Sequence, residues 1–142
     1  GKMHEPYEEV TIQINKEFTI EFTHRNVSNL NFDGKDIIIY RIIQEALSNI
    51  VKHAEAKRVN IVLKQKQGKV FLEIKDNGKG FNMKEQGKMG KSLGLSIMRE
   101  RAKLAGGTLQ IKSTKGSGTQ IHLSIPIKSA SSAAKEKNNG EK

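Results

Sequence analysis

Cysteine is absent from the 142 residues, which excludes a disulfide scaffold, thiolate chemistry and any Cys-ligated zinc site. Tryptophan is also absent and aromatics amount to 5%, too few for the aromatic-interleaved basic strand of a nucleic-acid binder. No apolar run approaches the roughly 18 residues of a membrane span, so the chain reads as soluble. Its first residues lack the apolar core of a secretory signal, and nothing in them indicates export. Acidic residues are the scarce charge: 15 Asp and Glu stand against 25 Lys and Arg, a formal net charge of +10. That excess suits anionic partners such as nucleic acid, lipid headgroups or nucleotide phosphates, and does not choose among them.

The length fits one domain with a real core. Residues 10–127 carry the patterning; 1–9 read as a leader or linker, and 128–142, rich in Ser, Ala, Lys and Asn, as a disordered tail. Val10, Ile12 and Ile14, then Phe18, Ile20 and Phe22, alternate with polar residues and predict two strands. From Asp36, placed as an N-cap, the period changes to three- and four-residue steps through Ile39, Ile42, Ile43, Ala46, Leu47, Ile50, Val51 and Ala54. That is a helix with one buried face. Val59–Lys66 and Lys69–Lys75 predict a hairpin about Gln67-Gly68. A glycine-bearing loop follows from Phe81 to Leu93, then a second helix from Leu95 stopped by Gly106-Gly107. Thr108–Ser113 and Thr119–Ile125 close the chain as another hairpin. The order predicts an α+β fold, a two-layer α/β sandwich with one mixed sheet covered on one face by helices.

Four short segments carry the chemistry. Glu45, Asn49 and His53 recur at four-residue steps on one helical stripe, about 6 Å apart per step. A carboxylate and an amide oxygen so aligned can hold Mg²⁺ beside phosphates, since this ion prefers oxygen ligands and keeps several waters. Lys52, one step off, can reach a phosphate as a mobile point charge. An ordinary polar helix face explains the same residues when they are taken alone. His53 has no second nitrogen or sulfur partner nearby, which argues against zinc. In Asp76-Asn77-Gly78-Lys79-Gly80-Phe81 a carboxylate ends a strand, where it can accept from an exocyclic amine such as that of adenine. Gly78 and Gly80 permit positive φ and close backbone approach; the plain alternative is an Asn-Gly turn. Gly90-Lys91-Ser92 invites a phosphate-loop reading, but Glu85 stands where that motif needs a glycine and no strand precedes it. Gly94 opening a helix still offers free N–H groups and a favourable dipole to phosphate, with Lys88 and Lys91 adding charge. Gly116-Ser117-Gly118-Thr119 reads as a hairpin turn whose Thr119 hydroxyl could join an adenine pocket.

Together, Arg41–Ala54 (RIIQEALSNIVKHA), Asp76–Phe81 (DNGKGF), Gly94–Ala102 (GLSIMRERA) and Gly116–Thr119 (GSGT) resemble, in order and spacing, the four motifs of the histidine-kinase ATP-binding domain. The flavour is similar to the sensor kinases that pair with helix-turn-helix response regulators. The resemblance spans Val10 to Ile127 and implies a Bergerat-type ATP-binding fold, with ATP and Mg²⁺ as cofactors. It implies Asn49 as a Mg²⁺ ligand, with Glu45 binding the ion or positioning a water, and Lys52 on phosphate. It implies Asp76 as the adenine-specificity residue, supported by Thr119. His53 then packs near the adenine or ribose, and Gly78, Gly80, Gly90, Gly94 and Leu95 shape the pocket and its lid.

The resemblance further implies a cytoplasmic kinase domain, monomeric in isolation, whose partners are a phosphoacceptor and dimerisation domain and a cognate response regulator, not nucleic acid or membrane. None of His4, His24, His53 or His122 lies in the helical His-Asp/Glu context of a phosphoacceptor, so the acceptor is expected on a separate domain. The lid lacks a glycine that the fuller pattern carries before Gly94. A stand-alone ATPase of the gyrase or chaperone type on the same fold is the main alternative; a basic nucleic-acid-binding module without enzymatic activity is the other.

Overall fold

The change of hydrophobic period at Asp36 marks the first helix, α1, which spans Asp36–Asn49 in a computed structural model that describes residues 7–15, 17–25, 34–83 and 94–127. Ile39, Ile42 and Ala46 are buried on one stripe, as the spacing predicts. The N-cap is Lys35, one residue earlier than expected, and no side chain caps the helix. The Lys35 carbonyl accepts from the amides of Ile38 and Ile39, both at 3.1 Å. Asp36 therefore stands inside the first turn, where its charge complements the helix dipole. The α-helical ladder ends at Asn49 rather than Ala54. Ile50–Ala54 form a π-helical turn, closed by Glu55 in a left-handed conformation with φ of +53°. Such turns recur at functional sites.

Six strands make one sheet in the order β1-β2-β3-β4-β6-β5: Tyr7–Asn15, Phe18–Arg25, Arg58–Lys66, Lys69–Asp76, Thr119–Pro126 and Thr108–Ser113. β1 begins three residues ahead of the Val10 alternation. Strands β2 and β3 run parallel, because α1 and the π turn intervene as a crossover, while every other pairing is antiparallel. Gln67 and Gly68 join β3 to β4 with φ of +52° and +75°, the double left-handed geometry whose twist matches a two-residue hairpin.

Alternation along the strands decides which face is covered. The register aligns Ile61, Ile74, Ile121 and Ile111 in one row across β3, β4, β6 and β5, with Leu72 opposite Leu123. All six are buried. Against this face lie α1 and α2 (Leu95–Leu104), the latter through buried Leu95, Met98 and Ala102. The opposite face carries Arg58, Lys64, Lys66, Lys69 and Lys112 in solvent. The result is the mixed sheet with helices on one face that the sequence predicts. The expected tail 128–142 and most of the glycine-bearing loop lie outside the described residues.

Leu72, on this covered face opposite Leu63 and Leu123, is 1% exposed. Leu72→Ala should therefore cost about 2–5 kcal/mol of unfolding free energy; chemical denaturation followed by circular dichroism measures it.

Candidate nucleotide pocket

The same alternation that buries Ile74 and Ile121 carries Asp76, two residues after Ile74, and Thr119, two residues before Ile121, onto the helix-covered face. Asp76 and Thr119 are direct partners in the ladder. Above them, α1 and the π turn present Ala46, Asn49, Ile50 and His53. These residues line a single cavity with Ala54, Lys79, Gly80, Phe81 and Leu95, enclosing about 540 Å³ of space, open solvent included. Asn49 and Asp76 thus face one hollow, and the walls between them are mostly apolar: Ala46, Ile50, Ile74, Phe81, Leu95 and Ile121. A flat, mostly apolar ligand with a polar edge suits such a slot.

The Asp76–Phe81 loop is held from three sides. Asn77 Oδ1 accepts from the amides of Lys57 and Arg58 at 2.8 and 2.9 Å, anchoring the loop to the start of β3. The Lys79 amide donates to the Ala54 carbonyl at 2.8 Å, satisfying an end carbonyl of the helical segment. Gly78 packs so closely there that a Cβ would overlap the Ala54 carbonyl oxygen. Its requirement is steric room, whereas Gly80 needs both room and a φ of +62°. On the third side, the Phe81 amide donates to Ser113 Oγ at 2.8 Å, and the Gly116 amide to the Lys79 carbonyl at 2.6 Å.

Asp76 Oδ1 accepts from the Gly78 amide at 2.8 Å. Burial pushes its pKa above the ordinary 3.8, and the backbone amides of Gly78 and Thr119 offset only part of that rise. A half-buried carboxylate with amides on one side retains lone pairs for a donor from the cavity.

The sequence-predicted residues divide into four groups. Asn49, His53, Asp76, Gly80, Leu95 and Thr119 line the cavity together. Gly78 and Gly94 stand behind its wall. Gly94 is the left-handed N-cap of α2, and a Cβ there would lie 2.8 Å from Glu45 Oε1. Glu45 thus sits at the start of α2, beside the pocket rather than in its lining. Lys52, one step off the stripe of Asn49 and His53, is exposed on the π turn and is not among the lining residues. Gly90, with Lys88 and Lys91, lies outside the described residues.

Sequence reasoning passed over Lys79, Asn77 and Ser113. Lys79 lines the cavity and pairs with Glu55, Nζ to Oε1 3.7 Å. Asn77 and Ser113 organise backbone, and no local pattern marks a side chain for that work.

Residues 34–129 match the family described as histidine kinase-, DNA gyrase B-, and HSP90-like ATPase. The chain belongs to this ATPase family. Among curated relatives it is 37% identical over 115 residues to the sensor histidine kinase LiaS of Bacillus subtilis, covering 75% of this chain and 31% of that protein. It is 42% identical over 93 residues to the histidine-protein kinase/phosphatase DegS of the same organism, covering 65% and 24%. The chain therefore spans less than a third of these relatives. Among solved structures, the ATP binding domain of PrrB from Mycobacterium tuberculosis superposes with a TM-score of 0.55 at 28% identity, over 64% of this chain and 68% of that one. The histidine kinase domain of a blue-light activated kinase from Erythrobacter litoralis shares the fold at 23% identity, with a TM-score of 0.55 over 63% of this chain and 43% of that one. Among the described residues no helix is long and apolar enough to cross a membrane.

The raised pKa of Asp76 gives a signed prediction. Between 3.8 and the higher folded value the folded chain binds more protons than the unfolded one. Asp76 thus lowers stability as pH rises through that window. Nucleotide binding should move the opposite way, weakening on acidification from above pH 3.8 as the accepting carboxylate is lost. Isothermal calorimetry against pH tests this, and Asp76→Asn should remove that component of the profile.

Proposed function

We propose that this chain is the ATP·Mg²⁺-binding catalytic domain of a sensor histidine kinase, donating the γ-phosphoryl group to a histidine on a separate dimerisation domain. The observation that carries the reading is that Asn49 and Asp76 line one cavity together with a mostly apolar set of side chains. Asp76 accepts from the adenine amine, Thr119 adds an oxygen beside it, and Ile74, Phe81 and Ile121 hold the ring by apolar contact. His53, an exposed residue of the lining, would pack near the adenine or ribose. Lys79, in the lining and paired with Glu55, would add positive charge to the site.

The donor set fits Mg²⁺ rather than a metal held by protein alone. Among the described residues no group of three His, Cys, Asp or Glu could hold an ion. Mg²⁺ binds through one or two protein oxygens together with waters and substrate phosphates, and Asn49 with Glu45 would hold it here. When bound, the ion neutralises phosphate charge as the γ-phosphoryl group departs. Glu45 at the start of α2 would otherwise repel phosphates drawn to that helix N-terminus; a shared cation lets both occupy the region. The base near the acceptor would lie outside this chain, so that catalysis here would be positioning and charge neutralisation. The partners in this reading are the phosphoacceptor domain and a response regulator of the helix-turn-helix type. The domain works in the cytoplasm and is monomeric alone.

The reading has three measurable consequences. The isolated chain should bind a non-hydrolysable ATP analogue with Mg²⁺ in calorimetry; no heat at about 100 μM protein would mean a Kd above roughly 1 mM and would count against it. It should show no autophosphorylation until a phosphoacceptor domain is supplied. Steady phosphate release by the chain alone would favour the stand-alone ATPase. Asp76→Asn should weaken adenine nucleotides tenfold or more, on the order of one lost charge-assisted hydrogen bond, while leaving pyrophosphate binding nearly unchanged.

A further inference from the structure

Ser113, at the end of β5, is outside the cavity lining yet touches three groups that form or support it. Its Oγ receives the Phe81 amide at 2.8 Å, lies 3.1 Å from the Gly118 carbonyl oxygen, and is 2.8 Å from Thr119 Oγ1. A serine hydroxyl has one proton and two lone pairs. The Phe81 N–H can only donate, so it takes one lone pair. The Gly118 carbonyl can only accept, so it takes the serine proton. The contact with Thr119 is then satisfied in one way: the threonine hydroxyl donates into the remaining lone pair of Ser113. All three contacts are hydrogen bonds together only under this assignment.

The consequence lies at Thr119. Its own proton is committed to Ser113, so its oxygen offers the cavity lone pairs alone. Asp76, its direct ladder partner on the same face, is also an acceptor. We propose that Ser113 is a specificity-determining positioning residue: by holding the Thr119 proton, it makes this end of the pocket acceptor-only and so selects purines bearing a 6-amino group over those bearing a 6-keto oxygen. Adenine presents an amine donor at that position and guanine a carbonyl acceptor. A Thr119 hydroxyl free to rotate would donate to the keto oxygen and soften the discrimination. The inference rests on the nucleotide-pocket reading above and adds to it the group that fixes the direction of one hydrogen bond.

The test compares ATP and GTP binding to the 142-residue chain by calorimetry with Mg²⁺, for wild type, Ser113→Ala, Ser113→Thr, Thr119→Val and the Ser113→Ala/Thr119→Val double variant. The wild type should prefer ATP; no preference would sink the pocket reading itself. Ser113→Ala should lower the ATP-to-GTP affinity ratio about three- to tenfold, the scale of one hydrogen bond. Ser113→Thr, which keeps the hydroxyl, should retain the wild-type ratio and carries the test if the alanine variant does not fold. In the Thr119→Val background the serine substitution should leave the ratio unchanged, because no rotatable hydroxyl remains to be released. A merely structural role for Ser113 weakens both nucleotides together. An unchanged ratio in Ser113→Ala, an altered one in Ser113→Thr, or the same loss in both backgrounds overturns the proposal.

Discussion

The pocket depends on one backbone hydrogen bond, from the Lys79 amide to the Ala54 carbonyl. It joins the end of the helical layer to the loop that leaves the sheet, and so sets the distance between the two walls of the cavity. Both sides of this junction are specialised. The helix ends in a π turn and a left-handed Glu55, which leaves the Ala54 carbonyl directed at the loop. The loop offers Gly78, whose missing Cβ is what lets the two backbones meet. Asn77 then ties the same loop to the start of β3, so its position is determined from two elements.

From that junction follows the chemical asymmetry of the site. Asp76 sits on the covered face of the sheet because the two-residue period of β4 puts it there after Ile74. Burial in an apolar setting raises its pKa, and amides from Gly78 and Thr119 hold enough of the charge in place for a strand-end carboxylate to be tolerated. At the other end, polar α1 residues meet the first turn of α2. The left-handed Gly94 opens that helix against the Glu45 side chain. The acceptor-rich strand end and the junction of α1 with α2 thus flank a cavity with aliphatic and aromatic walls.

Much of the fold was legible in the residues because hydrophobic period reports burial directly. Ile39, Ile42 and Ala46 announced a covered helix face, and the alternation through Val70, Leu72 and Ile74 announced a covered strand. Asp76 and Thr119 were legible as partners only through the resemblance, since they lie far apart in the chain, and pairing β4 with β6 rather than β5 is a tertiary choice. One local expectation was displaced by backbone geometry: Lys35, not Asp36, became the cap, and its carbonyl accepts from two amides.

By itself, then, the sequence determined the alternation of layers, the faces that would be buried, and the residue types able to bind an amine and phosphate charge. Those properties follow from local periodicity and side-chain chemistry, which need no neighbours. Only the tertiary structure decided that Asn49 and Asp76 share a hollow, that Gly78 is required for close approach, and that Ser113 joins Phe81, Gly118 and Thr119. Each of these is a contact between segments far apart in the chain, and such contacts exist only once the sheet register and the docking of the loop beneath the helix are in place.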